Sequence, residues 1–193
     1  MNIAELDCNI KKELRASMNG ILSARMRKAG MPYHLIFGVE LPRLQNIAKE
    51  FSNDVNLANH LWKENIRETR LLAIMLMPAE AFTPEMANAW AKALLTAEEA
   101  QVMAMLLLSK TKYAKEISMK WLEAGEPLSS TCACLCMRHL LVQDVVFSLE
   151  EKKFISEYTS RMLPTANLHL KKAIQTLTEF MVHNSEQESR KTK

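Results

Sequence analysis

Apolar residues recur at steps of three, four and seven along almost the whole 193-residue chain, the spacing of helices that bury one face. The first stripe, Ile10, Leu14, Met18, Ile21, Leu22 and Ala29, predicts one N-terminal helix over about 3–28, stopped at Gly30. Further helices are predicted over 42–52, 54–63, 65–77, 84–95, 97–109, 112–123, 128–142, 150–162 and 165–182. Their boundaries carry caps or breakers: Asp54, Pro78, Thr83-Pro84, Thr96 with Glu99 as a capping box, Gly125-Glu126-Pro127 and Pro164-Thr165.

A faint repeat runs through this series. Trp62, Trp90 and Trp121 stand 28 and 31 residues apart, each near the end of a first helix and followed by a more apolar second helix, over 69–77, 100–108 and 132–141. Helical pairs of this kind cannot bury their apolar faces alone. They stack into an all-α solenoid of HEAT-like character, with the tryptophans and Met75, Met77, Met103 and Met105 as core packing. One domain is expected over 1–184, followed by a flexible polar tail over 185–193.

Composition narrows the picture. Only 4 Gly and 6 Pro, against 13 Met and 48% hydrophobic residues, leave little turn chemistry for a many-stranded sheet. A chain of this length can bury a continuous core without disulfides or metal. No apolar run reaches the roughly 18 residues of a membrane span. Glu5 and Asp7 near Met1 do not suit a signal peptide, so a cytoplasmic protein with no membrane partner is expected. Cys132, Cys134 and Cys136 alternate in one helical segment and Cys8 stands alone, which is neither a disulfide framework nor zinc spacing. The five His, at 34, 60, 139, 169 and 183, are scattered, and no Gly-rich phosphate loop or nucleophile elbow occurs. No metal, no other cofactor and no small-molecule chemistry are expected.

The most specific stretch is Ile36-Phe37-Gly38-Val39-Glu40-Leu41-Pro42-Arg43-Leu44, followed by Leu61-Trp62 and then Glu68-Thr69-Arg70-Leu71-Leu72-Ala73. An aromatic-Gly-Val turn, a helix opened by Pro, a Leu-Trp helix end and a Glu-x-Arg helix start, in that order, resemble the bacterial DNA alkylation repair (AlkD-like) N-glycosylases. The resemblance runs over roughly 18–181 and is strongest over 36–77. It implies a curved stack of HEAT-like pairs whose basic concave surface holds duplex DNA. It further implies, for active members, excision of 3- and 7-methylated purines without metal or redox cofactor.

Cleaving the glycosidic bond of such a base builds positive charge on the sugar, which a nearby carboxylate stabilises. Aromatic faces favour the cationic base and an arginine holds the phosphate. The family places a Trp and an Asp on a mid-chain helix, an Arg on the next helical pair, and a Trp after a C-terminal Lys-Ala-Ile. Here the resemblance puts Ala97 at the first Trp position, Gln101 at the Asp position and Ser129 or Ser130 at the Arg position. Thr176, after Lys172-Ala173-Ile174-Gln175, stands where the last aromatic belongs. Glu98 and Glu99, within one turn of Gln101, are the nearest carboxylates and the remaining catalytic candidates with it, although acids also suit the first turn of any helix.

These readings lead to a HEAT-like DNA-binding protein without base excision, with a net charge of +3. Duplex or branched DNA would be held through its phosphates by Lys110, Lys112, Arg138, Lys171 and Lys172. Two alternatives stand beside it. One is an active 3-/7-alkylpurine DNA N-glycosylase using Glu98 or Glu99 in a remodelled site. The other is a protein-interaction scaffold with a protein partner.

Overall fold

The computed structural model describes the backbone of residues 2–191 and the side chains of residues 2–182. Among the described residues the chain forms eleven α-helices, one short 3-10 turn and no strand. They are α1 (Ile3–Ala16), α2 (Gly20–Lys28), α3 (Leu41–Lys49), α4 (Val55–Trp62), α5 (Arg67–Leu76), α6 (Pro84–Lys92), α7 (Ala97–Leu106), α8 (Ala114–Ala124), α9 (Pro127–Val142), α10 (Leu149–Met162) and α11 (Leu168–Lys191), with the 3-10 turn at Leu108–Lys110. None of the described helices is long and apolar enough to cross a membrane. Contacts group the chain into two compact units, Met1–Thr83 and Pro84–Lys193.

In the first unit α4 packs on α5, α3 also packs on α5, and α1 packs on α4. Ile10, Leu14, Leu44, Ile47, Leu57, Leu61, Leu71 and Leu72 are fully buried between them. Each such side chain contributes roughly 1.5–3 kcal/mol of transfer free energy. The single N-terminal helix expected over 3–28 is two helices. Asn19 breaks it: its side chain accepts the Leu22 N–H at 3.0 Å and so starts a new helix, while its own N–H donates to the Phe37 carbonyl at 3.0 Å. The apolar stripe fails at the same point, leaving Met18 and Ile21 largely exposed.

The second unit is built around α9, which packs on α7, α8 and α11. Enclosed on so many sides, α9 buries Ser129 through Cys134, Cys136, Met137, Leu140 and Leu141. Cys132, Cys134 and Cys136 are therefore all buried, although on a helix they do not share one face. Trp62, Trp90 and Trp121 are buried as expected, and so are Met77 and Met103, whereas Met105 lies exposed. The expected caps at Asp54 and Thr96 are present, accepting from Leu57 N–H at 2.8 Å and Glu99 N–H at 3.3 Å. The last helix does not begin at Pro164-Thr165. Asn167 caps it instead, accepting the Leu170 N–H at 2.9 Å. The segment 185–193, read from the sequence as a flexible tail, lies outside the residues whose side chains are described.

Candidate functional site

The residues of the 36–73 stretch act on backbone. Glu68, second residue of α5, is fully buried, and its carboxylate faces the turn at 37–39. Oε2 accepts the Phe37 N–H at 3.0 Å, and Oε1 accepts those of Gly38 at 2.9 Å and Val39 at 3.3 Å. Three successive amides aimed at one anion form a nest, which makes burial of the charge tolerable. Buried Arg67 donates through one guanidinium nitrogen to Glu68 Oε1 at 2.8 Å and to the Val39 carbonyl at 2.9 Å. Gly38 has φ +77°, and a Cβ there would lie 2.3 Å from the Asn19 carbonyl oxygen and 2.7 Å from the Ser23 nitrogen. Arg70 stacks 3.9 Å above the Trp62 ring and donates to the Trp62 carbonyl at 2.8 Å. The Gly, Glu, Arg and Trp of the motif thus lock a turn and a helix end together.

The positions that the resemblance marks as catalytic lie elsewhere. In the second unit α7, α9 and α11 surround a cavity of about 160 Å³ lined by Ala97, Gln101, Thr131, Leu135, His169, Lys172, Ala173 and Thr176. Three of these, Ala97, Gln101 and Thr176, are the positions where the resemblance implies the Trp, the Asp and the second Trp. Tertiary folding brings them together from two helices that start some seventy residues apart, Ala97 and Leu168. Among the described residues the lining contains no carboxylate and no Trp, Tyr or Phe. Ser129 and Ser130, at the expected arginine position, are buried; Ser130 donates to the Trp121 carbonyl at 3.3 Å.

Glu98 and Glu99 do not line this cavity. Glu99 is fully buried, and its Oε2 accepts the Leu95 N–H at 2.8 Å just ahead of α7, a capping role. Lys172 reaches the cavity, while Lys110, Lys112, Arg138 and Lys171 are not among its lining. Lys110, Lys112, Lys171 and Lys172 are exposed and without an ion-pair partner among the described residues. Arg138 lies 5.4 Å from the Phe180 ring, and its charge, behind partial burial, helps hold His139 below its ordinary pKa. Neighbouring lysines are neutralised locally: Lys115 by Glu151 at 2.9 Å and Lys120 by Glu116 at 2.6 Å.

Residues 10–185 match the family described as DNA alkylation repair enzyme. The chain belongs to the DNA alkylation repair enzyme family. A solved structure, described as "A new family of proteins related to the HEAT-like repeat DNA glycosylases with affinity for branched DNA structures", is similar at a TM-score of 0.76 and 19% identity. The match covers 93% of this chain and 75% of that one, and shows the HEAT-like fold. No curated protein matches.

Within this alkylation-repair fold the sequence left three features unread. His169 joins the cavity three residues before Lys172 on α11, a spacing that puts both on one face and could have signalled it. A larger cavity of about 680 Å³ lies among α6, α8 and the start of α9, lined by Leu94, Trp121, Pro127 and Leu128 with Lys92 and Lys120 among its residues. In the first unit Asp7, His60 and Glu64 converge with ligand atoms within 4.8 Å of one another. Lys11 fills that cluster, 2.8 Å from Asp7 and in contact with Glu64. Partial burial alone would lower the Lys11 pKa, but the bonds to the two carboxylates raise it above its ordinary value. The cation in this cluster is therefore the protein's own.

Proposed function

We propose that this member of the alkylation repair family is a cytoplasmic protein that binds duplex or branched DNA through its phosphates and does not excise bases. One observation carries the reading: the cavity at the positions expected to be catalytic is lined by Ala97, Gln101 and Thr176, with Lys172 and His169, and by no carboxylate. A cationic base in that cavity would meet neither the negative charge nor the aromatic faces that stabilise it. Glu99 cannot substitute, since it is buried and engaged at the helix start. Lys110, Lys112, Lys171 and Lys172, without acidic partners among the described residues, are available to phosphates. The affinity for branched DNA named for the similar structure supports including branched substrates.

Four such contacts give a slope of about −3.6 for log affinity against log salt. The test pairs two assays on the purified chain. Duplex carrying 7-methylguanine or 3-methyladenine should release no free base, and anisotropy titrations of a four-way junction and a linear duplex should show that salt slope. Release of methylated purine that survives in Gln101→Leu but is lost in Glu98→Gln would overturn the reading in favour of an active glycosylase. Absence of DNA binding at low salt would overturn it altogether, and would leave the 680 Å³ cavity, with its apolar lining, as the feature favouring a protein partner.

A further inference from the structure

We infer that the cavity among α7, α9 and α11 is an oxyanion site that takes a single phosphate group of the DNA backbone, held by Lys172, His169 and Gln101. The inference rests on the DNA-binding reading above and assigns a role to the cavity itself.

Size comes first. At about 160 Å³ the cavity is well below the roughly 300–1,000 Å³ of ordinary ligand pockets and has the room of about five waters. That suits one small polar group. Donors come next. Thr131 donates its hydroxyl proton to the Pro127 carbonyl at 2.7 Å, and Thr176 donates to the Lys172 and Ala173 carbonyls at 3.1 and 3.0 Å. Donor capacity therefore resides in the three long side chains.

Lys172 and His169 are exposed and have no partner among the described residues, and Gln101 Nε2 reaches only the Met105 sulfur at 3.9 Å, a weak acceptor. The lining thus holds an ammonium and an imidazole with no partner among the described residues, and an amide with only a weak one. The backbone adds the same sign. Ala97 is the first residue of α7 and His169 the second of α11, so two helix starts, capped by Thr96 and Asn167 and carrying positive dipole ends, border the cavity. Among the described residues the charge on the lining, that of Lys172, and the two helix dipoles favour an anion, the reverse of what a cationic base requires.

The anion could be free phosphate or a backbone phosphate, and two arms separate them. In the first, junction affinity is measured against salt for the wild type, Lys172→Ala and Gln101→Glu, with thermal melts to confirm that these exposed-side-chain variants fold. Lys172→Ala should lower the magnitude of the salt slope by about 1. Gln101→Glu, which puts a carboxylate beside the phosphate, should weaken binding by about tenfold or more at low salt. In the second arm, inorganic phosphate alone is titrated into labelled protein, and the Gln101 side-chain amide resonances should shift in the wild type and not in Lys172→Ala.

Wild-type DNA binding with both variants unchanged would overturn the inference and leave the DNA-binding reading standing. Tighter binding by Gln101→Glu would overturn it in favour of a cation. No DNA binding by the wild type would defeat the broader reading and, with it, the backbone assignment, whether or not inorganic phosphate shifts the amide.

Discussion

Replacing Glu68 with alanine tests whether the motif of the first unit is structural in the way its geometry indicates. The substitution removes a fully buried carboxylate that accepts from Phe37, Gly38 and Val39 N–H at 3.0, 2.9 and 3.3 Å and from Arg67 at 2.8 Å. Each backbone amide left unpaired costs about 1–3 kcal/mol, and stranding the buried partner of an ion pair costs about 3–5 kcal/mol. These costs overlap, because water entering the vacated space can satisfy several groups at once. A net loss of about 4 kcal/mol is expected, a large share of the 5–15 kcal/mol typical of a domain. Glu68→Gln should fall between, keeping one carbonyl acceptor but turning an NH2 toward donor groups. Urea unfolding gives the stability change, with the slope m checked for constancy. Hydrogen exchange locates it: the Phe37, Gly38 and Val39 amides should be protected in the wild type and exchange far faster in Glu68→Ala. A loss under about 1 kcal/mol, or undiminished protection of those amides, would refute the reasoning.

Two further expectations concern backbone conformation and burial. Gly38 and Gly125 both have positive φ, +77° and +73°, but a Cβ at Gly125 meets nothing within 4 Å while one at Gly38 collides with backbone. Alanine should therefore cost about 1 kcal/mol at Gly125 and at least about 2 kcal/mol more at Gly38; equal losses in urea melts would show that the turn yields. A thiol reagent such as Ellman's should modify Cys8 in the native protein and reach the other three only on unfolding. Burial, reinforced by neighbouring Cys136 and Cys134, pushes the Cys132 thiol well up, and burial pushes Cys134 and Cys136 up to about 12. Rapid native modification of more than one thiol would contradict this enclosure of α9.

Periodicity located most of the helices, because a 3.6-residue repeat of apolar groups is a local property of the chain. Caps whose side chains bond within three residues were legible for the same reason, as at Asp54 and Thr96. Asn19 was missed because the Phe37 carbonyl that draws its N–H out of the helix lies eighteen residues away, beyond the reach of any periodic pattern. The alternating cysteines were read as buried thiols, but that all three could be buried at once depended on α9 being enclosed by α7, α8 and α11.

The family lineage was also legible, since the Gly38, Trp62, Glu68 and Arg70 anchors hold the turn and helix end that the fold needs. The resemblance indicated in advance that Ala97, Gln101 and Thr176 stand where catalytic groups were expected. What only the tertiary structure decided is that these positions meet in one small cavity and that His169 and Lys172 share it, while Glu98 and Glu99 do not. The order of side chains along a helix follows from the chain, but which groups share a cavity is set by three helices at once, and no one segment encodes it.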